Sequence, residues 1–134
     1  MENMFTLKVN KNYYYFLFFV HSPMNIRFSN RKLERSVESF AAIKKNYGTR
    51  ARQVYQRLDD LKMVTSLVRM YEIPAAHFHE LSADRPGEFA VSISRNHRII
   101  FRPDHDPVPR KEDGGIELNM VDSIVILAIG EDYH

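Results

Sequence analysis

The residues of this chain best suited to chemistry are one histidine, one arginine and the final three positions. Asp132, Tyr133 and His134 put a carboxylate, a phenol and an imidazole side by side. His79 and Arg98 complete the set. Singly, each has an ordinary explanation: a solvated tail, a structural histidine, a surface arginine. Together they match what is needed to break an RNA phosphodiester through its own 2′-hydroxyl. That reaction takes a base for the hydroxyl, an acid for the departing 5′-oxygen and a cation for the pentacoordinate phosphorane. Imidazole is the natural acid and base near neutral pH. A carboxylate orients an imidazole, a tyrosine stacks on a base or donates a proton, and an arginine grips phosphate bidentately.

The final trio follows an unbroken apolar run, Ile124 to Ile129, closed by Gly130. A short β-branched run of this kind predicts a strand buried on both faces, inside a sheet. Chain ends usually fray, so a reactive trio fastened to a buried strand stands out. Upstream, Met24–Phe28 predicts a first strand. Ser29 and Asn30 are helix caps. After them Leu33, Val37, Phe40, Ala41, Ile43 and Tyr47 mark one face of a single helix that Gly48 closes. Thr49 is expected to cap the next helix, with Ala51, Val54, Tyr55, Leu58 and Leu61 on its apolar face. The two form a helical hairpin. A short helix over 65–71 follows, ended by Pro74.

From Ala76 the period changes to two. A strand is expected over 77–81, then a turn over 82–87. Phe89, Val91 and Ile93 alternate with Ala90, Ser92 and Ser94, which predicts a half-buried strand. Arg95-Asn96 turns the chain back into a strand over 97–102. The 103–115 segment, with three prolines, two glycines and six charges, reads as an exposed loop. The order β-α-α-β-β-β-β argues for an α+β domain, two helices on one mostly antiparallel sheet. Residues 24–134 are expected to form that domain. Residues 1–23, with the aromatic run Tyr13–Val20, read as an extension upstream of a natural start at Met24. The run is too short to span a bilayer, lacks a signal-peptide cleavage site and equally suits an extra strand.

The 134 residues fit one domain, and with no cysteine there is neither a disulfide framework nor a thiolate metal site. The net charge is only +2, but its distribution is uneven. Residues 27–57 carry nine Lys/Arg against two Glu, whereas 58–134 carry eight basic and fourteen acidic side chains. The basic block is either a solvated helix face or a surface for a polyanion or acidic partner. A metal reading draws on His77 and His79, with His105 or His134; no further ligand at metal spacing supports it. No Gly-rich phosphate loop is present. Neither metal nor cofactor is expected.

From Met24 to His134 the chain resembles the HigB branch of the RelE/ParE toxin superfamily, the plasmid maintenance system killer proteins. The resemblance rests on His79-Glu80-Leu81, on Gly87-Glu88-Phe89-Ala90-Val91-Ser92-Ile93, on Asn96-His97-Arg98-Ile99-Ile100-Phe101 and on Glu131-Asp132-Tyr133-His134. It implies a RelE/ParE-like fold and an mRNA interferase, a metal-independent endoribonuclease acting on the translating ribosome. A helix-turn-helix antitoxin would hold it inactive, and its location would be cytoplasmic, with no membrane partner. By position, His79 and His134 would be the acid–base pair, Asp132 and Tyr133 would support them, and Arg98 would hold phosphate. The chain has Ser82 where relatives carry lysine and His97 where they carry tryptophan. Arg85 or Arg95 are the candidate replacements for that lysine. The basic helices would meet the ribosome through Arg31, Lys32, Lys44 and Lys45. Two rivals remain: a ParE-like poison of DNA gyrase that needs no acid–base residues, and a degenerate member that only binds antitoxin or ribosome.

Overall fold

The computed structural model describes residues 23–82 and 84–132, the last two by their backbone. Strand β1 (Asn25–Phe28) leads into three helices: α1 (Arg31–Ser36), α2 (Phe40–Tyr47) and α3 (Ala51–Met63). Then come β2 (His79–Glu80), β3 (Phe89–Ser94), β4 (His97–Pro103) and β5 (Ser123–Asp132). They form one five-stranded sheet in the order β1-β5-β4-β3-β2. Among the described residues only the β1–β5 pair is parallel; the other pairs are antiparallel. This is the expected α+β architecture, a helical layer on a mostly antiparallel sheet. The Tyr13–Val20 run lies outside the described residues.

The main core lies between helices and sheet, where Val37, Ile43, Val54, Leu58 and Leu61 meet Ile99, Phe101, Ile124 and Ile126. All nine are fully buried. Phe78, Phe89 and Phe101 stack beside them, with ring centroids 5.4 to 6.2 Å apart. The apolar run of β5 meets the expectation only in its first half: Ile124, Val125 and Ile126 are buried with strands on either side, whereas Leu127, Ala128 and Ile129, beyond the last β1 pair, are half-buried.

Several local expectations are corrected. The single helix over 31–47 is two. Asn30 caps the first by accepting the Leu33 N–H at 2.8 Å. The Ser36 hydroxyl then turns back to the Leu33 carbonyl, and Ser39 starts a new helix by accepting the Ala42 N–H at 3.1 Å. Serine side chains that compete for backbone bonds break helices in this way. Thr49 caps nothing: Gly48, at φ 57°, leads into a 3₁₀ turn over Gly48–Arg50, and α3 starts without a side-chain cap. Phe40 and Tyr55 leave the core and meet edge-on at the surface. The 65–71 helix is a 3₁₀ stretch over Leu67–Glu72, and Pro74 opens a second one. The strand over 77–81 shrinks to two residues because His77 adopts a left-handed conformation. Strand β3 is buried on both faces, since Ala90 joins Leu81 and Ile100 in a second, smaller cluster.

Candidate functional site

The β3–β4 hairpin and the end of β5 bring Arg95, Arg98 and the backbone of Asp132 to one end of the sheet. Arg98 stands opposite Ser92 on one side and Glu131 on the other. Its neighbour His97 stands opposite Asp132. Two irregularities in β5 lead to this point. Leu127 is skipped between the Ile100–Ala128 and Phe101–Ile126 pairs, and Gly130 between Arg98–Glu131 and Ile99–Ile129. Such bulges increase local twist and re-aim the strand that carries them. Gly130 has φ 81°, a backbone that side chains rarely accept, and abuts the ring of Tyr47. The Tyr47 hydroxyl in turn meets Ser36 Oγ at 2.7 Å. Burial pushes the Tyr47 phenol above its ordinary pKa, against the opposing Ser36 hydrogen bond. The strand end that delivers the terminal trio is thus braced by the helical layer.

His79 lies on the edge strand β2, opposite Ala90, which in turn faces Ile100. Side chains directly opposite one another share a face, so His79, Ile100 and, two residues along β4, Arg98 share the face away from the helices. Two strand spacings, roughly 10 Å, separate β2 from β4, and a third separates it from β5. His79 Nδ1 lies 2.7 Å from the His77 carbonyl oxygen. A carbonyl only accepts, so Nδ1 carries the hydrogen, and neutral His79 has its acceptor lone pair on Nε2.

The cations are more constrained than a sequence shows. Arg98 Nη1 donates to the carbonyls of Ser94, Arg95 and His97 at 2.9, 3.2 and 3.2 Å, which caps the hairpin turn. Arg85 Nε donates to Glu88 at 2.9 Å within its own turn. Arg95 is exposed and lines, with Arg98, His77 and Ser94, a cleft of about 370 Å³. This cleft exists because β2 covers only the first two residues of β3. Ser82 donates to Asp84 over a long 3.4 Å. Tyr133 and His134, and the side chain of Asp132, lie outside the described residues.

Comparison with protein-family models and with curated proteins gives no match. Similar chain paths occur among solved structures. They include a YoeB–YefM complex from Staphylococcus aureus, at 14% identity and TM-score 0.45 over 84% of this chain and all of that one. A YoeB/ParE toxin from Agrobacterium tumefaciens matches at 12% and 0.41, over 82% of this chain and all of that one. The YoeB dimer from Staphylococcus aureus matches at 16% and 0.41, over 84% of this chain and again all of that one. Likeness this distant carries no argument about chemistry or partners.

The basic block divides in two. Arg27 makes a two-pronged pair with Asp104, at 3.1 Å for each bond, and holds its carboxyl below the usual range. Arg57 is buried, joining Asp60 to the Ser92 carbonyl. These two serve the fold. Arg31, Lys32, Lys44 and Lys45 are all exposed, and the first two share a groove of about 680 Å³ between α1 and α2 with Arg35 and Lys45. Of the histidines in the metal reading, His105 sits beside the start of β5, 3.4 Å from Asp122, and His134 lies outside the described residues. Among the described residues no three histidines or carboxylates converge on a metal position, and no helix is long and apolar enough to cross a membrane.

Sequence reasoning missed Gly130, Tyr47 and Arg57 as residues that shape the site. For Gly130 a signal existed, since a glycine between an apolar strand and a reactive tail marks a bulge or close approach. Tyr47 and Arg57 gave none, because their partners lie 83 and 35 positions away.

Proposed function

We propose that this chain is the toxin of a type II toxin–antitoxin pair, of the HigB kind, and that it cleaves messenger RNA on the ribosome. The observation that carries this reading is His79: a half-buried imidazole on the sheet face that also carries Arg98, with Nδ1 committed to a backbone carbonyl and Nε2 as the site of proton exchange. Protons would move at Nε2 without a metal ion, with His134 as the complementary group and Asp132 and Tyr133 in support. Arg98 and Arg95, which line one cleft with His77, would neutralise the phosphate, and the exposed cations of α1 and α2 would hold ribosomal RNA. In this reading the active domain is 24–134, residues 1–23 are dispensable, and the partner that silences it is a helix-turn-helix antitoxin in the cytoplasm.

The test is primer extension on messenger bound to purified ribosomes. The parent should produce discrete cuts, and His79→Ala or deletion of Tyr133 and His134 should lower the rate by about two to four powers of ten. Either variant cutting at the parental rate while folded would refute the mechanism. One observation favours a second reading, a protein that binds antitoxin or ribosome without cutting. Arg98 and Arg85 are engaged with hairpin carbonyls and Glu88, and Ser82 offers no cation. Ribosome co-sedimentation without any cleavage by the parent would select it.

A further inference from the structure

His77 stands out as the one non-glycine among the described residues with a positive φ, at φ 45° and ψ 45°. Histidine tolerates this region better than most side chains, yet a residue stays there only when its surroundings hold it. Here they do. On one side the Pro74–Ala76 turn binds the His77 N–H to the Pro74 carbonyl at 3.1 Å. On the other, Phe78 is locked in the aromatic stack with Phe89 and Phe101.

The kink has a chemical consequence two residues on. In a regular strand the carbonyl of residue 77 would lie in the sheet plane, and the side chain of residue 79 would stand perpendicular to it. The left-handed turn instead brings that carbonyl to within 2.7 Å of His79 Nδ1. We propose that His77 is a positioning residue, whose left-handed backbone fixes the His79 tautomer and so confines proton transfer to Nε2. This deepens the nuclease reading above and rests on it for its catalytic meaning. The bond serves both protonation states, because Nδ1 carries a hydrogen in the neutral ring and in the imidazolium. Accepting or releasing a proton at Nε2 therefore leaves the ring anchored. The imidazole of His77 has no part in the role; its backbone conformation does.

The test has a spectroscopic arm and a kinetic arm. Two-bond ¹H–¹⁵N correlation spectra of the parent should show His79 above its pKa with Nδ1 protonated and Nε2 bare. His77→Gly and His77→Asn, which accept positive φ, should keep that pattern and cleave within about threefold of the parent. His77→Val, whose β-branch resists it, should lose the pattern and cleave about 10- to 100-fold more slowly, less than the full loss of an acid–base group. A His79 ring protonated at Nε2 in the neutral parent overturns the proposal, as does an unchanged tautomer in folded His77→Val. Should His77→Val not fold, the parent spectrum and the Gly and Asn variants decide. If the tautomer is as described but His79→Ala cleaves normally, the positioning stands and the nuclease reading falls.

Discussion

Arg57→Met removes the buried cation that ties α3 to the site-bearing hairpin. In the parent, Arg57 Nε donates to the Ser92 carbonyl at 2.7 Å and Nη1 donates to Asp60 at 2.7 Å. The two side chains are only 11% and 14% exposed. Breaking a buried pair from one side costs about 3–5 kcal/mol, because the remaining charge is stranded. Here Asp60 keeps its bond from Gln56 at 2.9 Å, so the bottom of the range applies, about 3 kcal/mol. Methionine fills much of the lost volume, which keeps a cavity penalty out of the sum. For a domain of this size that loss lowers Tm by about 10 °C. Urea unfolding measures it directly, with the midpoint falling and the m-value unchanged. Adding Asp60→Leu should recover part of the loss, since the stranded carboxylate is then gone. Arg57→Met within about 0.5 kcal/mol of the parent, a size typical of surface changes, would refute the claim that Arg57 couples helix to hairpin.

Gly130→Ala should cost about 1–2 kcal/mol from backbone strain alone, since the added Cβ would meet the Tyr47 ring only at an ordinary 3.7 Å. Urea unfolding checks this, and equal stability would mean that the bulge is not held at positive φ. Reversing Arg31, Lys32, Lys44 and Lys45 to Glu should weaken ribosome co-sedimentation steeply at low salt and less at high salt. An unchanged salt series would return that face to plain solvent. Arg27→Gln should flatten the acid side of the stability curve. Asp104 has a depressed pKa, first through its hydrogen bond from Arg27. Its contribution is therefore present above the unfolded carboxylate value, about 3.9, and is lost as pH falls through the lower folded value. Parent and variant melts from pH 2 to 7 should differ near neutrality and converge in acid. Parallel curves would show that the pair does not act on folding.

The elements that were legible in advance are those whose signal is local. The Ile124–Ile129 run predicted an interior strand, and Ile124, Val125 and Ile126 are buried in one. Ala51, Val54, Leu58 and Leu61 predicted the buried face of α3 and form it. The misreadings occurred where a local preference had a close competitor. Leu33 to Tyr47 kept helical spacing through a break, because Val37 stays on the core side of either arrangement while Ser36 and Ser39 reroute the backbone bonds. The 77–81 strand alternated correctly, but nothing in its pattern announced that His77 would turn left-handed.

The sequence by itself determined the α+β class, the strand alternation and the residues able to do acid–base chemistry, because period and side-chain type are properties of single positions and near neighbours. Only the tertiary structure decided how those residues stand toward one another. It joined His79 to the His77 carbonyl, spent Arg98 Nη1 on three hairpin carbonyls, and buried Arg57 out of a block whose two readings, solvated face or partner surface, both put it outside. It also set Gly130 against Tyr47, 83 positions away, at the base of the terminal trio. Each of these depends on backbone path or register, and a shift of one residue along a strand carries every side chain to the opposite face.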